Sequence, residues 1–421
     1  MTPTERTNIG QFVLDELPEG FLRGLVAEDI RNYRIRIFPW ALIVWMMICQ
    51  RLGKGASLAA VVAEARQGKC DPFLERAGAS RLVRGGRISD ATGGYSQARS
   101  GIPLQVVEGA ADHLNSRIEL MHTDQTWEGL KVYLIDGSSL TLQHSKKLLR
   151  HYPSCHNQYG KSHWPKMRTC YAHDLVTGVA LRPEYGPFFG EEAIGELSLL
   201  KSMLDRIPTG AVLVADRLYG IFDVCYEVTS RGHPIVVRLT DNRSNRFLKH
   251  LKSPGEIEVS WTPSDNERKK YPDLPQDAAV SGRFIWCRLR RRGYRTINLY
   301  LFTTLQLPLK KIVELYGLRW CIENDIRDIK ACLNLDEISA KTPDMVHKEV
   351  VLAHVAYNLV RHVAAIAAEY HGIDPRRVSF KRVRKPQPRK ILMRRNKFSE
   401  IRGSRQQEQQ KLLKLMKNML N

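Results

Sequence analysis

Two aspartates each close a short apolar run: Val132-Tyr-Leu-Ile-Asp136-Gly and Val212-Leu-Val-Ala-Asp216-Arg. A carboxylate at a strand end is held by rigid backbone and faces the cleft beyond the sheet. Hard cations such as Mg²⁺ favour such oxygens and keep waters for a substrate. Two ions about 4 Å apart stabilise both the attacking and the leaving oxygen of a phosphodiester displacement. A strand-ending Asp also caps a following helix, so neither position decides the chemistry alone.

The segment from about 310 to 333 reads as one long helix and supplies a third acid. At about 3.6 residues per turn, Tyr316, Arg319, Glu323 and Lys330 fall within about 60° of one another. A tyrosine, two cations and a carboxylate on one stripe make a poor core face. They suit a metal-binding Glu flanked by phosphate-binding groups. The alternative is a solvated face on which Arg319 and Glu323 pair at i, i+4.

The surrounding pattern shows what must position these residues. Residues 1–128 read as a helical N-terminal DNA-binding domain. Apolar residues recur at helical spacing in Ser57–Arg66 and Pro103–Met121, with a glycine-broken polar stretch between them. From 129 the texture changes to short apolar strands with interposed helices, the signature of an α/β core with a mixed sheet and flanking helices. This core occupies 129–239 and 305–372. Thr169–Ala172 and Gly178–Arg182 are spaced to form a hairpin. A β-rich insertion spans 240–304, and 373–421 is a basic tail ending in a helix.

Charge points to the partner. The chain holds 65 Lys and Arg against 44 Asp and Glu, a formal net of +21. Such an excess repels itself and calls for a polyanion, nucleic acid first. Eight scattered cysteines without a CxxC give neither a zinc ribbon nor a redox motif and fit a reducing cytoplasm. His151, Cys155, His156 and His163 are irregularly spaced for zinc, and a flexible loop is the simpler account. The longest apolar run, Phe38–Cys49, is short of the roughly 18–20 residues of a membrane helix and reads as buried, so no membrane is expected.

Tyr316-x2-Arg319-x3-Glu323-x6-Lys330 resembles the Y-R-E-K signature of bacterial insertion-sequence transposases of family four. Tyr133-Leu-Ile-Asp136-Gly-Ser, Ala215-Asp216-Arg217-x-Tyr219, Ser96-Gln97-Ala98-Arg99 and Val378-Ser-Phe-Lys-Arg382 are similar to that family in the same order. The resemblance spans about 90–382. It implies an RNase H-like domain in which Asp136, Asp216 and Glu323 are catalytic and bind two Mg²⁺ ions, with Mn²⁺ as substitute. It implies that Tyr316, Arg319, Lys330 and Arg217 contact DNA, and that an aromatic in the insertion stacks on a flipped base. Tyr300 is the nearest by position, though the family pattern has tryptophan there, and Trp286 is the second choice.

The implied activity is cut-and-paste transposition on double-stranded DNA. Ends are nicked, closed into hairpins, reopened and joined to target DNA by a homodimer associated with the nucleoid. Gln97 and Arg99, in the Ser89–Arg99 stretch, are candidate sequence readers. Arg290, Arg291 and Arg292 form a basic turn suited to the DNA backbone, and Arg376–Lys397 carries eleven Lys or Arg and no acid. A nuclease that only cuts, and a silent DNA binder, are the rival readings.

Overall fold

The computed structural model describes residues 8–27, 38–53, 57–76, 88–157, 160–289 and 297–384. The expectations for Arg290, Arg291, Arg292 and the distal basic tail fall outside those residues. The N-terminal part is helical, as expected: α1 (Ile9–Glu16), α2 (Glu19–Gly24), α3 (Trp40–Leu52), α4 (Leu58–Glu64), α5 (Asp71–Arg76), α6 (Gly93–Gly101) and α7 (Leu104–Leu120). Starts follow local chemistry. Ser57 Oγ accepts from Ala60 N ahead of α4, and prolines precede α3 and α7.

The chain then runs β1 (Val132–Thr141), α8 (Lys146–His151), β2 (His156–Asn157), β3 (Gly160–Lys161), β4 (Lys166–Asp174), β5 (Glu184–Pro187), α9 (Glu196–Met203), β6 (Val212–Ala215), α10 (Phe222–Ser230), β7 (Ile235–Arg238) and α11 (Asp241–Leu248). After these come β8 (Gly255–Trp261), α12 (Asp265–Lys270), β9 (Val280–Leu289), β10 (Ile297–Thr303), α13 (Leu309–Leu318), α14 (Cys321–Arg327), α15 (Pro343–Tyr370) and α16 (Phe380–Arg384). One eight-stranded sheet has the order β5-β4-β1-β6-β7-β10-β9-β8. β1, β6 and β7 are parallel and the other pairings antiparallel.

Period-2 alternation splits the sheet between two cores. Tyr133 and Ile135 of β1 face α9 and α10, meeting Leu200, Met203 and Cys225. Val132 and Leu134 face α13 and α14, meeting Ile312, Leu315 and Ile322. This is the mixed α/β sheet with helices on both faces that the resemblance implies. A third core joins the N-terminal helices to α15 across residue 128. α15 is long and apolar enough to cross a membrane, but 89% of its apolar window is buried inside the fold.

The insertion over 240–304 is β-rich, and β10 pairs with β7, so β8–β10 extend the main sheet. The expected return of Gly178–Arg182 along β4 is reduced to one antiparallel bridge, His173–Ala180, with Asp174 N donating to Val179 O and Leu181 N to Ala172 O. Asn358 accepts from Ala180 N and donates to its O, and the full ladder resumes in β5. The helix expected over 310–333 breaks at Arg319–Trp320, where Arg319 N reaches back only to Tyr316 O. A π-helical turn, Asp328–Cys332, then ends α14. The straight-helix stripe is therefore bent, and Arg319 turns into the sheet edge.

Candidate active site

The site lies at the C-terminal edge of the parallel strands. β1 pairs with β6 only through Val132–Leu134, so Asp136 stands where the sheet opens beyond the end of β6. Asp216 starts the loop after β6, and its Oδ1 accepts from Leu218 N at 2.7 Å. Glu323 enters from α14. Arg319 bridges two of the acids: Nη1 lies 3.4 Å from Asp136 Oδ2 and Nη2 3.0 Å from Glu323 Oε1. Its guanidinium also stacks over Trp320, 4.6 Å from the ring centre.

A fourth acid, Glu196, was not singled out by its sequence context. It begins α9, accepts from Tyr219 Oη at 2.7 Å, and fills the space beside Gly137. A Cβ on Gly137 would lie 1.9 Å from the Glu196 carboxyl carbon. Gly137 thus leaves room for that carboxylate next to Asp136, and a side chain there would push the flexible end of Glu196 aside. The signal in the sequence was the acid at the head of an amphipathic helix, but nothing local says that this helix returns to β1.

Burial pushes the Asp136 carboxyl up to about 7. Arg319 opposes the rise, while Asp216, Glu323 and Glu196 add to it. Glu196 is likewise raised, by burial and then by Asp216, against the Tyr219 hydrogen bond and Arg168. Among the described residues no three His, Cys, Asp or Glu side chains stand close enough to hold one ion together. A cation nevertheless occupies the place between Asp136 and Glu323: the Arg319 guanidinium. The donor set is all hard carboxylate oxygen, and the acids outnumber the cations, which suits Mg²⁺ or Mn²⁺ better than a softer metal.

Of the residues expected at DNA, several are turned inward. Tyr316 is only 4% exposed, with Arg319 beside its hydroxyl. Arg99 donates to Gln50 and to Glu349 of α15. It ties α6 to the long helix and is no base reader in this conformation. Lys330 Nζ donates to Ser139 O at 2.8 Å on β1 and pairs with Asp336 at 3.8 Å. Gln97 and Arg217 are exposed. Tyr300 is 7% exposed and stacked on Phe284, which closes its ring to a base. Trp286 is only partly buried. Its Nε1 donates to Asn298 Oδ1 and Arg288 lies over its ring.

Two comparisons show the family. Residues 127–359, over half of the chain, match the transposase DDE domain. The chain is also similar to the transposase InsG of insertion sequence element IS4 from Escherichia coli strain K12, with 22% identity over 385 residues, covering 89% of this chain and 80% of that protein. The match begins just before β1 and ends inside α15, so it takes in Asp136, Asp216 and Glu323 together with the whole sheet. The chain therefore belongs to the DDE-domain transposases, enzymes that cleave DNA and transfer its strands.

Proposed function

We propose that Asp136, Asp216 and Glu323 are the catalytic acids and would hold two divalent cations, Mg²⁺ or Mn²⁺, for cut-and-paste transposition. The observation that carries this reading is the charge imbalance at the sheet edge. Burial first, then the fields of Asp216, Glu323 and Glu196 against the single Arg319, raise Asp136 to about 7. Divalent cations there would supply a water of lowered pKa and neutralise charge growing on the scissile phosphate and leaving oxygen. The chain's own part is placement. Asp136 is held within β1, Asp216 follows the end of β6, and Glu323 comes from α14. Arg319 bridges Asp136 and Glu323, and once released its guanidinium would suit a DNA phosphate. Lys330, two turns along from Glu323, extends the same cationic line.

The finer steps follow family likeness. The freed 3′-OH closes a hairpin, the hairpin reopens, and two copies act on the two transposon ends. Trp286, not Tyr300, is the available aromatic for a flipped base, which it would stabilise by about 1–3 kcal/mol. Glu323→Gln keeps the side-chain shape and removes the charge. It should bind DNA as the parent does and nick it at least about 10³-fold more slowly. Mg²⁺-dependent nicking at an undiminished rate by this variant would remove Glu323 from the mechanism.

A further inference from the structure

β1 and β4 do not stop at the acid cleft. They stay paired from Asp136–Tyr171 out to Thr141–Lys166, and Leu142 N donates to Pro165 O beyond that. At about 3.3 Å per residue the hairpin overhangs Asp136 by roughly 15–20 Å. Its end is not loose. Leu148 is buried in the α15 core, Tyr152 Oη hydrogen-bonds His347 Nε2, and Ser145 Oγ donates to Lys341 O. The flexible loop expected after the first catalytic strand is thus a braced projection.

Its composition is one-sided. From Gly137 to His173 the chain carries Lys146, Lys147, Arg150, Lys161, Lys166 and Arg168 and not one Asp or Glu. At the tip, His144 and His163 stack with ring centres 3.9 Å apart and planes 7° apart. Trp164 meets His163 edge-on at 4.8 Å, and 45% of it is exposed. Both histidines are exposed as well. Three aromatic rings left in water add little to folding. Set among cations, they present flat faces to a partner that brings both phosphate and ring. Bases inside a duplex are already stacked on each other, so only an unpaired base can use such faces. A cationic line leads from the cleft to the tip: Lys330, held on Ser139 O, lies within the field of Lys166.

We propose that the tip of the β1–β4 hairpin, Trp164 with His144 and His163, is a stacking platform for an unpaired DNA strand that leaves the acid cleft, with Lys146, Lys147 and Lys166 along its phosphates. The direction of the strand rests on reading the cleft as the place of cleavage. The platform itself rests on the tip alone.

The test is binding by the full chain in EDTA, where no cutting occurs. The probes are a blunt duplex and the same duplex with an oligo-dT overhang carrying 2-aminopurine. The parent should hold the overhang duplex more tightly and shift the 2-aminopurine emission on binding. Trp164→Ala should lose that preference by about fivefold or more, matching one lost base–ring stack, and lose the emission change, with blunt-duplex affinity unchanged. Trp164→Phe should keep most of both. Three results would overturn the proposal: the preference survives Trp164→Ala, both probes weaken equally, or DNA affinity stays intact while self-association falls, which would make the tip a contact between copies. Glu323→Gln binds the overhang as the parent does if the platform stands alone, so failure of the cleft reading shows separately, in the nicking assay.

Discussion

Glu323 and Asp325 stand two residues apart on α14 and meet opposite surroundings. Asp325 is fully buried. Arg361 Nη2 donates to its Oδ1 at 2.5 Å, and Arg376 Nη1 reaches Oδ1 at 2.6 Å and Oδ2 at 2.5 Å. Burial alone would raise this carboxyl, but Arg376 and Arg361 bring it down to about 2. His173, 3.5 Å away, is driven down to about 3 by burial and stays neutral. Here two guanidiniums serve one carboxylate. On the cleft side, Asp136 and Glu323 share Arg319, and Asp216, Glu323 and Glu196 all add negative field on Asp136. A cluster that the protein neutralises from within holds the fold. A cluster left with surplus negative charge is built to be completed from outside. The two are coupled: Arg376 also donates to Asp174 O and Leu175 O at the end of β4, so the inner cluster clamps the helix that carries Glu323 to the sheet.

The largest expected difference is in stability. Asp325→Ala leaves two buried guanidiniums unpaired and should cost about 3–5 kcal/mol. Glu323→Ala removes a group whose side chain is 33% exposed, and should change stability by less than about 1 kcal/mol. Urea unfolding of the two variants side by side measures this. Equal losses would dissolve the distinction between the clusters.

Next in size is a pH effect of opposite sign in the two places. Asp325 is depressed when folded, so its contribution is present above its unfolded value near 4 and is lost as pH falls towards about 2. Asp136 is raised when folded, so its contribution is present below about 4 and is lost as pH rises through about 7. In EDTA at pH 8, Asp136→Asn should therefore be more stable than the parent by about 1–3 kcal/mol, with a flatter melting profile between pH 4 and 7. The full shift is discounted because the cleft is open to water. A destabilised Asp136→Asn would mean that the pairing with Arg319 outweighs the crowding.

Much of this was legible before any coordinates. Asp216 at a strand end, the parallel core strands and the late helix with Glu323 follow from apolar period and local chemistry. Asp136 was expected to end its strand too, but β1 runs on to Thr141 because β4 pairs with it throughout. What stayed hidden depends on contacts between distant segments. The break at Arg319 comes two residues after Gly317, a signal too common inside helices to place a break by itself, and there Arg319 turns inward to bridge Asp136 and Glu323. Arg99 looked like a reader because its partner, Glu349, lies 250 residues away. Tyr300 and Trp286 sit opposite each other on β10 and β9, so alternation cannot rank them. Depth does: Trp286 faces Gly255 on its other side, which has no side chain to cover it. The insertion was recognisable as β, but its joining to β7 is a pairing across some 60 residues that no local pattern fixes.

The smallest expected effect probes whether Glu196 belongs to the cleft. Glu196→Gln keeps an oxygen for the Tyr219 hydroxyl and the bulk beside Gly137, and removes only charge. Because Glu196 is the weakest of the carboxylates acting on Asp136, the gain in stability at pH 8 in EDTA should be about a few tenths of a kcal/mol. The midpoint of Asp136 titration, followed by carboxyl ¹³C shifts, should move down. Glu196→Ala would lose the Tyr219 hydrogen bond as well, costing about 1 kcal/mol, so the two variants separate charge from packing. If Glu196→Gln leaves the midpoint in place, Glu196 lies outside the field of the cleft. The imbalance there would then be three carboxylates to one guanidinium, with Gly137 kept small for packing alone.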